Sequence, residues 1–234
     1  VAATKRDIIV QNAPTGNTTT TAEHAICLLL SLVRHIPAAT ASMKQDKWEK
    51  KKFQGTEICG KTFGVIGLGN IGRIVAGLGK GLNMNVVAYD PFVSETDAEV
   101  LGVELRALDE LLARADFISV HTPLNDKTRG LIDSTAFEKM KDGVFLVNAA
   151  RGGIVDEIAC LAALESDKLA GAAFDVFVEE PPSAGHPLVA HPKVVCTPHL
   201  GASTAEAQIK VAVMVAEQMV DYAVSGEVRN ALNV

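Results

Sequence analysis

An arginine, a glutamate and a histidine occupy three short motifs of this chain: Arg151 in NAARGGIVDE, Glu180 in DVFVEEPP and His199 in CTPHLGAST. Each follows a run of apolar, β-branched residues, at the distance expected for a loop leaving the end of a strand. Together these groups can do acid/base chemistry on a carboxylated substrate. An arginine fork holds a carboxylate in two parallel hydrogen bonds, an imidazole exchanges a proton near neutrality, and a neighbouring carboxylate orients the ring and favours its charged form. Taken singly, each has an ordinary role open to it: Arg151 pairing with Asp156 or Glu157, Glu180 as a solvated turn acid beside Glu179, His199 in a turn that starts a helix. They become one site only if the fold brings the three strand ends to one edge.

A glycine pattern points to such a fold. GVIGLGNIGR contains G-x-G-x-x-G as Gly67, Gly69 and Gly72, directly after an apolar run and opening a helical one. The first glycine permits a tight turn, the second lets backbone approach a pyrophosphate, and the third lets helix and strand pack closely. Asp90 ends the next apolar run, 18 residues after Gly72, where a dinucleotide-binding fold places an acid on the adenine-ribose hydroxyls. A carboxylate there repels a 2'-phosphate, so the pattern favours NAD over NADP. The alternative for Asp90 is a turn residue before Pro91.

The elements that would carry these residues alternate along the chain. Seven candidate strands, starting at residues 7 (DIIVQN), 62, 85, 116, 143, 171 and 193, are separated by helical patterns over 71–82, 108–114, 134–140 and 156–167. The strand centres are continuously apolar, as in parallel strands covered on both faces. Two long helices bracket them. One starts near Thr21 and runs to a break at Pro37, and the other begins after Ser203-Thr204, with Ser203 the favoured N-cap. The expected fold is α/β: a doubly wound Rossmann-type parallel sheet with flanking long helices, forming one domain over 1–234.

Composition narrows the function classes. A net charge of −6 argues against nucleic acid as the main partner, and the longest apolar run, AICLLLSLV, is too short for a membrane span. Cys27, Cys59, Cys160 and Cys196 are scattered without C-x-x-C pairs or clustered His/Cys ligands, so neither a disulfide framework nor a metal site is expected, and a reducing cytoplasm fits. His24, His35, His186 and His191 have no companion pattern.

GLGNIGR, HTPL, VNAARGGIVDE, DVFVEEPP and PHLGAST, in this order and at this spacing, resemble the NAD-dependent D-2-hydroxyacid dehydrogenases over essentially the whole chain. NAPTGNTTTTAEHA and ATASMKQDKWEKKKFQGTE sharpen the likeness toward the branch of that family acting on 3-phosphoglycerate. The resemblance implies that His199 is the general acid/base, Glu180 (the acid directly before the proline) its partner, and Arg151 the group that binds substrate carboxylate and carbonyl. It also implies that Asn70, Ile71, Asp90, Thr122, Ala149, Ala150, Arg151, Asp175, His199 and Gly201 line the NAD site with the three glycines, and that His121 is structural. Lys50, in a segment carrying five lysines against two acids, becomes a candidate for a substrate phosphate, reached from a neighbouring subunit; a solvated charge run is the alternative. A homodimer through this domain, a substrate domain and a regulatory domain outside the chain, and low activity for the chain alone follow from the same likeness. Two other readings stay open: a glyoxylate/hydroxypyruvate reductase or another 2-hydroxyacid dehydrogenase, and an NAD-sensing corepressor-like binding module.

Overall fold

Helices cover both faces of a parallel sheet, which is why its strands are apolar throughout. The computed structural model describes residues 2–233. Helix α1 (Thr18–Val33) is followed, after a bend at Arg34 and His35, by α2 (Ile36–Met43). Strands and helices then alternate: β1 (Thr62–Ile66), α3 (Asn70–Gly81), β2 (Asn85–Tyr89), α4 (Glu95–Leu101), β3 (Glu104–Leu105), α5 (Leu108–Arg114) and β4 (Phe117–Val120). The alternation continues with α6 (Ser134–Lys139), β5 (Val144–Asn148), α7 (Glu157–Glu165), β6 (Leu169–Phe174), α8 (Pro187–Ala190) and β7 (Val194–Cys196), and helix α9 (Ala205–Ser225) follows.

The seven strands form one sheet in the order β3-β2-β1-β4-β5-β6-β7, with every pair parallel. The order reverses between β1 and β4, and in open α/β sheets this switch point opens a crevice at the carboxyl ends of the strands. Successive side chains alternate between two cores. Phe63 and Val65 of β1, Phe117 of β4 and Phe145 and Val147 of β5 pack with α1 and α3, while Ile66, Ile118, Val120 and Leu146 pack with α5, α6 and α7. The rings of Phe117 and Phe145 stack at 5.6 Å across adjacent strands.

The doubly wound parallel sheet and its long flanking helices agree with the sequence, but the strand inventory differs. DIIVQN at 7–12 is not in the sheet. Its β-branched residues instead meet the other end of the chain: Gln11 makes an isolated antiparallel bridge with Ala231, and the Val10 carbonyl accepts from the Leu232 amide at 2.8 Å. The seventh strand is β3, whose two residues are too short to show a period. Helix α4 was legible but missed, since Ser94 caps it by accepting from the Asp97 amide and Gly102 ends it at φ 63°. The break after α1 comes at His35, at φ 53°, and Pro37 sits in the first turn of α2, where its missing N–H is not needed. Thr204, not Ser203, caps α9, accepting from the Ala207 amide.

No single helix among the described residues is long and apolar enough to cross a membrane. Only α1 and α2 together pass by length and composition, bent by 61°, and Leu28, Leu29 and Leu32 of α1 are buried against the sheet.

Phe117 lies in the middle of the sheet and is fully buried. Truncation to alanine removes its stacking partner from Phe145 and leaves a cavity that the flanking strands cannot close. Phe117→Ala is expected to lower unfolding stability by about 3–5 kcal/mol, seen as a lower urea midpoint at unchanged slope. A loss below about 1 kcal/mol would show that the sheet centre is not packed as described.

Candidate active site

The register of the sheet places one residue of each central strand on a single line: Tyr89, Ile66, Val120, Asn148, Phe174 and Cys196 are successive partners from β2 to β7. The residues just beyond that line are Asp90, Gly67, His121, Ala149, Asp175 and Thr197. Arg151, Glu180 and His199 follow within a few residues on the same edge. Strands separated by helices in sequence therefore deliver their following loops to one place.

Between those loops lies a cleft of about 730 Å³ whose lining includes Ile71, Thr122, Ala150, Arg151, Asp175 and His199. His199 also lines a smaller neighbouring cavity of about 350 Å³, and there it meets Glu180: His199 Nδ1 lies 2.7 Å from Glu180 Oε2. Partial burial works against the charge of Glu180, but the hydrogen bonds from His199 and from the Phe177 amide outweigh it and hold the carboxyl below its usual range. An ionised carboxylate only accepts, so the imidazole Nδ1 carries the hydrogen and Nε2 is the atom left for a ligand. Arg151 is exposed at the rim, its Nη1 donating to the Ala150 carbonyl at 2.6 Å. It makes no ion pair among the described residues. Asp156 instead caps α7, and Glu157 accepts from the Val178 amide and faces His186, so the alternative pairing of Arg151 is not made.

The glycine turn fits a dinucleotide. Gly67 has φ +96° and lies so close to His121 that a Cβ would be 2.8 Å from the His121 carbonyl oxygen, while a Cβ on Gly72 would collide with the Gly67 carbonyl. Gly69 faces open space, and Asn70 begins α3, whose first amides are free to meet an anion. Two polar atoms beside this turn, His121 Nδ1 and Thr122 Oγ1, are shielded from solvent and have no hydrogen-bond partner among the described residues. Orphaned polar atoms of this kind mark a surface shaped for a partner. Asp90 shapes the turn: Oδ2 accepts from the Leu68 amide at 2.7 Å and Oδ1 from the Phe92 amide at 2.9 Å, and each oxygen keeps a further lone pair.

Asp175 and Gly201 also lie in the cleft, though Asp175 faces protein. Its carboxylate, 1% exposed, accepts from the amides of Leu200 and Gly201. Burial opposes its charge, but bonds from His24, Thr197 and those two amides together hold its carboxyl below the ordinary range. Lys50 is not brought to this cleft; it is exposed in a short turn, Lys50–Phe53, away from the lining residues. Three contributors were missed from the sequence. His24 reaches Asp175 from α1, and His186 clasps Glu157 beside the Glu180 loop. Asn148 shapes the Arg151 turn, donating to the Arg151 carbonyl and accepting from the Ala150 amide. Only Asn148 had a local signal, as a polar residue ending an apolar run.

Residues 26–201 match the family model described as D-isomer specific 2-hydroxyacid dehydrogenase, NAD binding domain. The chain belongs to this family and carries its NAD-binding domain. Curated relatives that it resembles over nearly its whole length include D-3-phosphoglycerate dehydrogenases: that of Archaeoglobus fulgidus is 56% identical over 232 residues, 99% of this chain, and that of Bacillus subtilis 48% identical over 231 residues, also 99%. The chain spans 44% of the length of each. Among solved structures, a glyoxylate reductase from Paecilomyes thermophila superposes with a TM-score of 0.90 at 33% identity, covering 99% of this chain and 70% of that one. The D-lactate dehydrogenase of Escherichia coli superposes equally well, with a TM-score of 0.90 at 32% identity over 99% of this chain and 73% of that one.

Burial pushes the His121 imidazole down to about 4, so the folded chain keeps it neutral, with Nε2 against the Ser119 hydroxyl at 2.8 Å. Unfolding restores the ordinary value of 6.5. Between these values the unfolded chain binds a proton that the folded one does not, so stability falls as pH drops from 6.5 toward 4 and this contribution levels off below that. For this one group the loss is roughly 3 kcal/mol across the window. His121→Gln is expected to flatten the plot of unfolding midpoint against pH between 6.5 and 4; a plot parallel to the wild type's would refute the assignment.

Proposed function

We propose that this chain is the cofactor-binding, catalytic-residue half of an NAD-dependent D-3-phosphoglycerate dehydrogenase, acting in serine biosynthesis in the cytoplasm. The observation that carries the reading is the His199–Glu180 pair, 2.7 Å apart on the same sheet edge as the glycine turn. Bound NAD supplies the hydride acceptor. The chain supplies the rest: the Gly67–Gly72 turn and the first amides of α3 receive the pyrophosphate, Asp90 receives the ribose hydroxyls, and Thr122, Ala149, Ala150, Asp175 and Gly201 line the remaining channel.

His199 Nε2, left free by the Nδ1 bond to Glu180, takes the proton of the substrate hydroxyl as the C–H bond of the same carbon breaks. The resulting imidazolium is stabilised by the Glu180 carboxylate. Arg151, unpaired at the rim, is available to hold the substrate carboxylate in a bidentate grip. A second subunit would have to bring Lys50 to a substrate phosphate. Exposed apolar side chains at Ile36 and Met43, the two ends of α2, and at Trp48 beyond it support such a dimer. The similarity to the glyoxylate reductase supports a second reading, in which the same proton relay serves a smaller 2-hydroxy acid.

Calorimetry on the chain is expected to show NAD⁺ binding at least about tenfold tighter than NADP⁺, with the preference reduced in Asp90→Ser. Absence of binding, or equal affinity for the two, would refute the reading. In the full-length enzyme, His199→Ala is expected to cut kcat for 3-phosphoglycerate by about 10²–10⁴ with NAD⁺ affinity kept. Unaltered turnover would remove His199 from the chemistry, and full activity with glycerate or lactate but none with 3-phosphoglycerate would favour the second reading.

A further inference from the structure

We infer that His24 is a positioning residue, which anchors Asp175 and through it holds the Thr197–Gly201 segment in the shape that presents His199 to the cleft. The inference rests on the reading of this cleft as the cofactor and catalytic site. His24 lies on α1, 151 residues from Asp175 in sequence, and its Nε2 is 3.1 Å from Asp175 Oδ1 and 3.1 Å from Thr197 Oγ1. The Asp175 carboxylate is ionised and only accepts, so His24 Nε2 carries the hydrogen. The Thr197 hydroxyl donates to the same Oδ1 at 2.5 Å, which leaves its own oxygen able to accept from His24. The three side chains thus close a small ring of hydrogen bonds.

The other donors to this carboxylate all come from the segment being held. Thr197 Oγ1 and the Leu200 amide, at 2.7 Å, serve Oδ1, and the Gly201 amide, at 2.8 Å, serves Oδ2. Among the described residues, His24 is the one side chain that bonds the carboxylate from outside that segment, and it does so from a helix whose neighbouring positions, Ala22, Ala25 and Ile26, are buried in the core. The restraint has something to oppose. His199 sits at φ 56°, in the left-handed region, which costs a non-glycine residue conformational energy. The space is tight as well, since a Cβ on Gly201 would lie 3.1 Å from Asp175 Oδ2 and 3.3 Å from Thr21 Cγ2 of α1.

The test is amide hydrogen exchange by NMR on this chain, with NAD⁺ calorimetry beside it. In His24→Ala the amides of Leu200 and Gly201 are expected to exchange at least about tenfold faster, while those of Val65 and Ile66 in β1 keep wild-type rates; NAD⁺ affinity falls about five- to tenfold. His24→Gln, whose amide hydrogens can reach the same oxygen, is expected to return both readouts to within about threefold of the wild type. Thr197→Val, which opens the ring without touching His24, is expected to speed the same two amides. Wild-type exchange at Leu200 and Gly201 in His24→Ala, or a glutamine variant no better than the alanine one, would overturn the inference. If His24→Ala does not fold, the glutamine and Thr197→Val variants decide. If the wild-type chain binds no NAD⁺, the cofactor reading falls and the exchange rates still judge His24.

Discussion

Parallel pairing that brings the carboxyl ends of the strands into line is the constraint on which the rest of this structure depends. Because Ile66, Val120, Asn148, Phe174 and Cys196 are direct partners across β1, β4, β5, β6 and β7, the chain leaves all five strands at the same level. A one-residue slip in any strand would exchange the two packed faces and also move its loop by a residue's rise, about 3.3 Å. The two cores resist such a slip, since Phe117 and Phe145 on one face and Ile118 and Leu146 on the other are each fitted to helices that cannot exchange roles. Burial far from the cleft thus sets distances within it.

Short polar side chains at the strand ends convert that register into loop shape. Asn148 bridges the Ala150 amide and the Arg151 carbonyl, Asp90 gathers the amides of Leu68 and Phe92, and Asp175 those of Leu200 and Gly201. In each case a buried or half-buried side chain bonds loop backbone, Asp175 with His24 and Thr197 besides, and the loop it folds carries a glycine turn, an arginine or a histidine. The geometry is therefore built before any ligand arrives, which is what a site needs if it is not to spend binding energy on ordering itself.

Much of this was legible beforehand, for identifiable reasons. Continuously apolar runs bounded by glycine and polar residues announce buried parallel strands, and the G-x-G-x-x-G turn after one of them announces the edge that matters. The same logic failed for DIIVQN, whose β-branched residues are real strand formers but pair with the far end of the chain, a partner that no local pattern names. It failed for β3 because two residues have no period, whereas α4 does carry a local signal, the caps at Ser94 and Gly102. His24 and His186 were invisible for a deeper reason: each acts on a group far away in sequence, Asp175 or Glu157, and no local spacing encodes that.

The left-handed backbone at His199 sets two demands on one position. Asparagine and glycine tolerate φ near 56° at lower cost than histidine, so conformational preference alone would favour replacing the imidazole. On the proton-relay reading proposed for His199, backbone ease and proton exchange therefore make opposite demands on this position. A residue that relaxed this turn would surrender the imidazole that Glu180 holds, and with it the proposed relay, while the sheet beneath stayed packed.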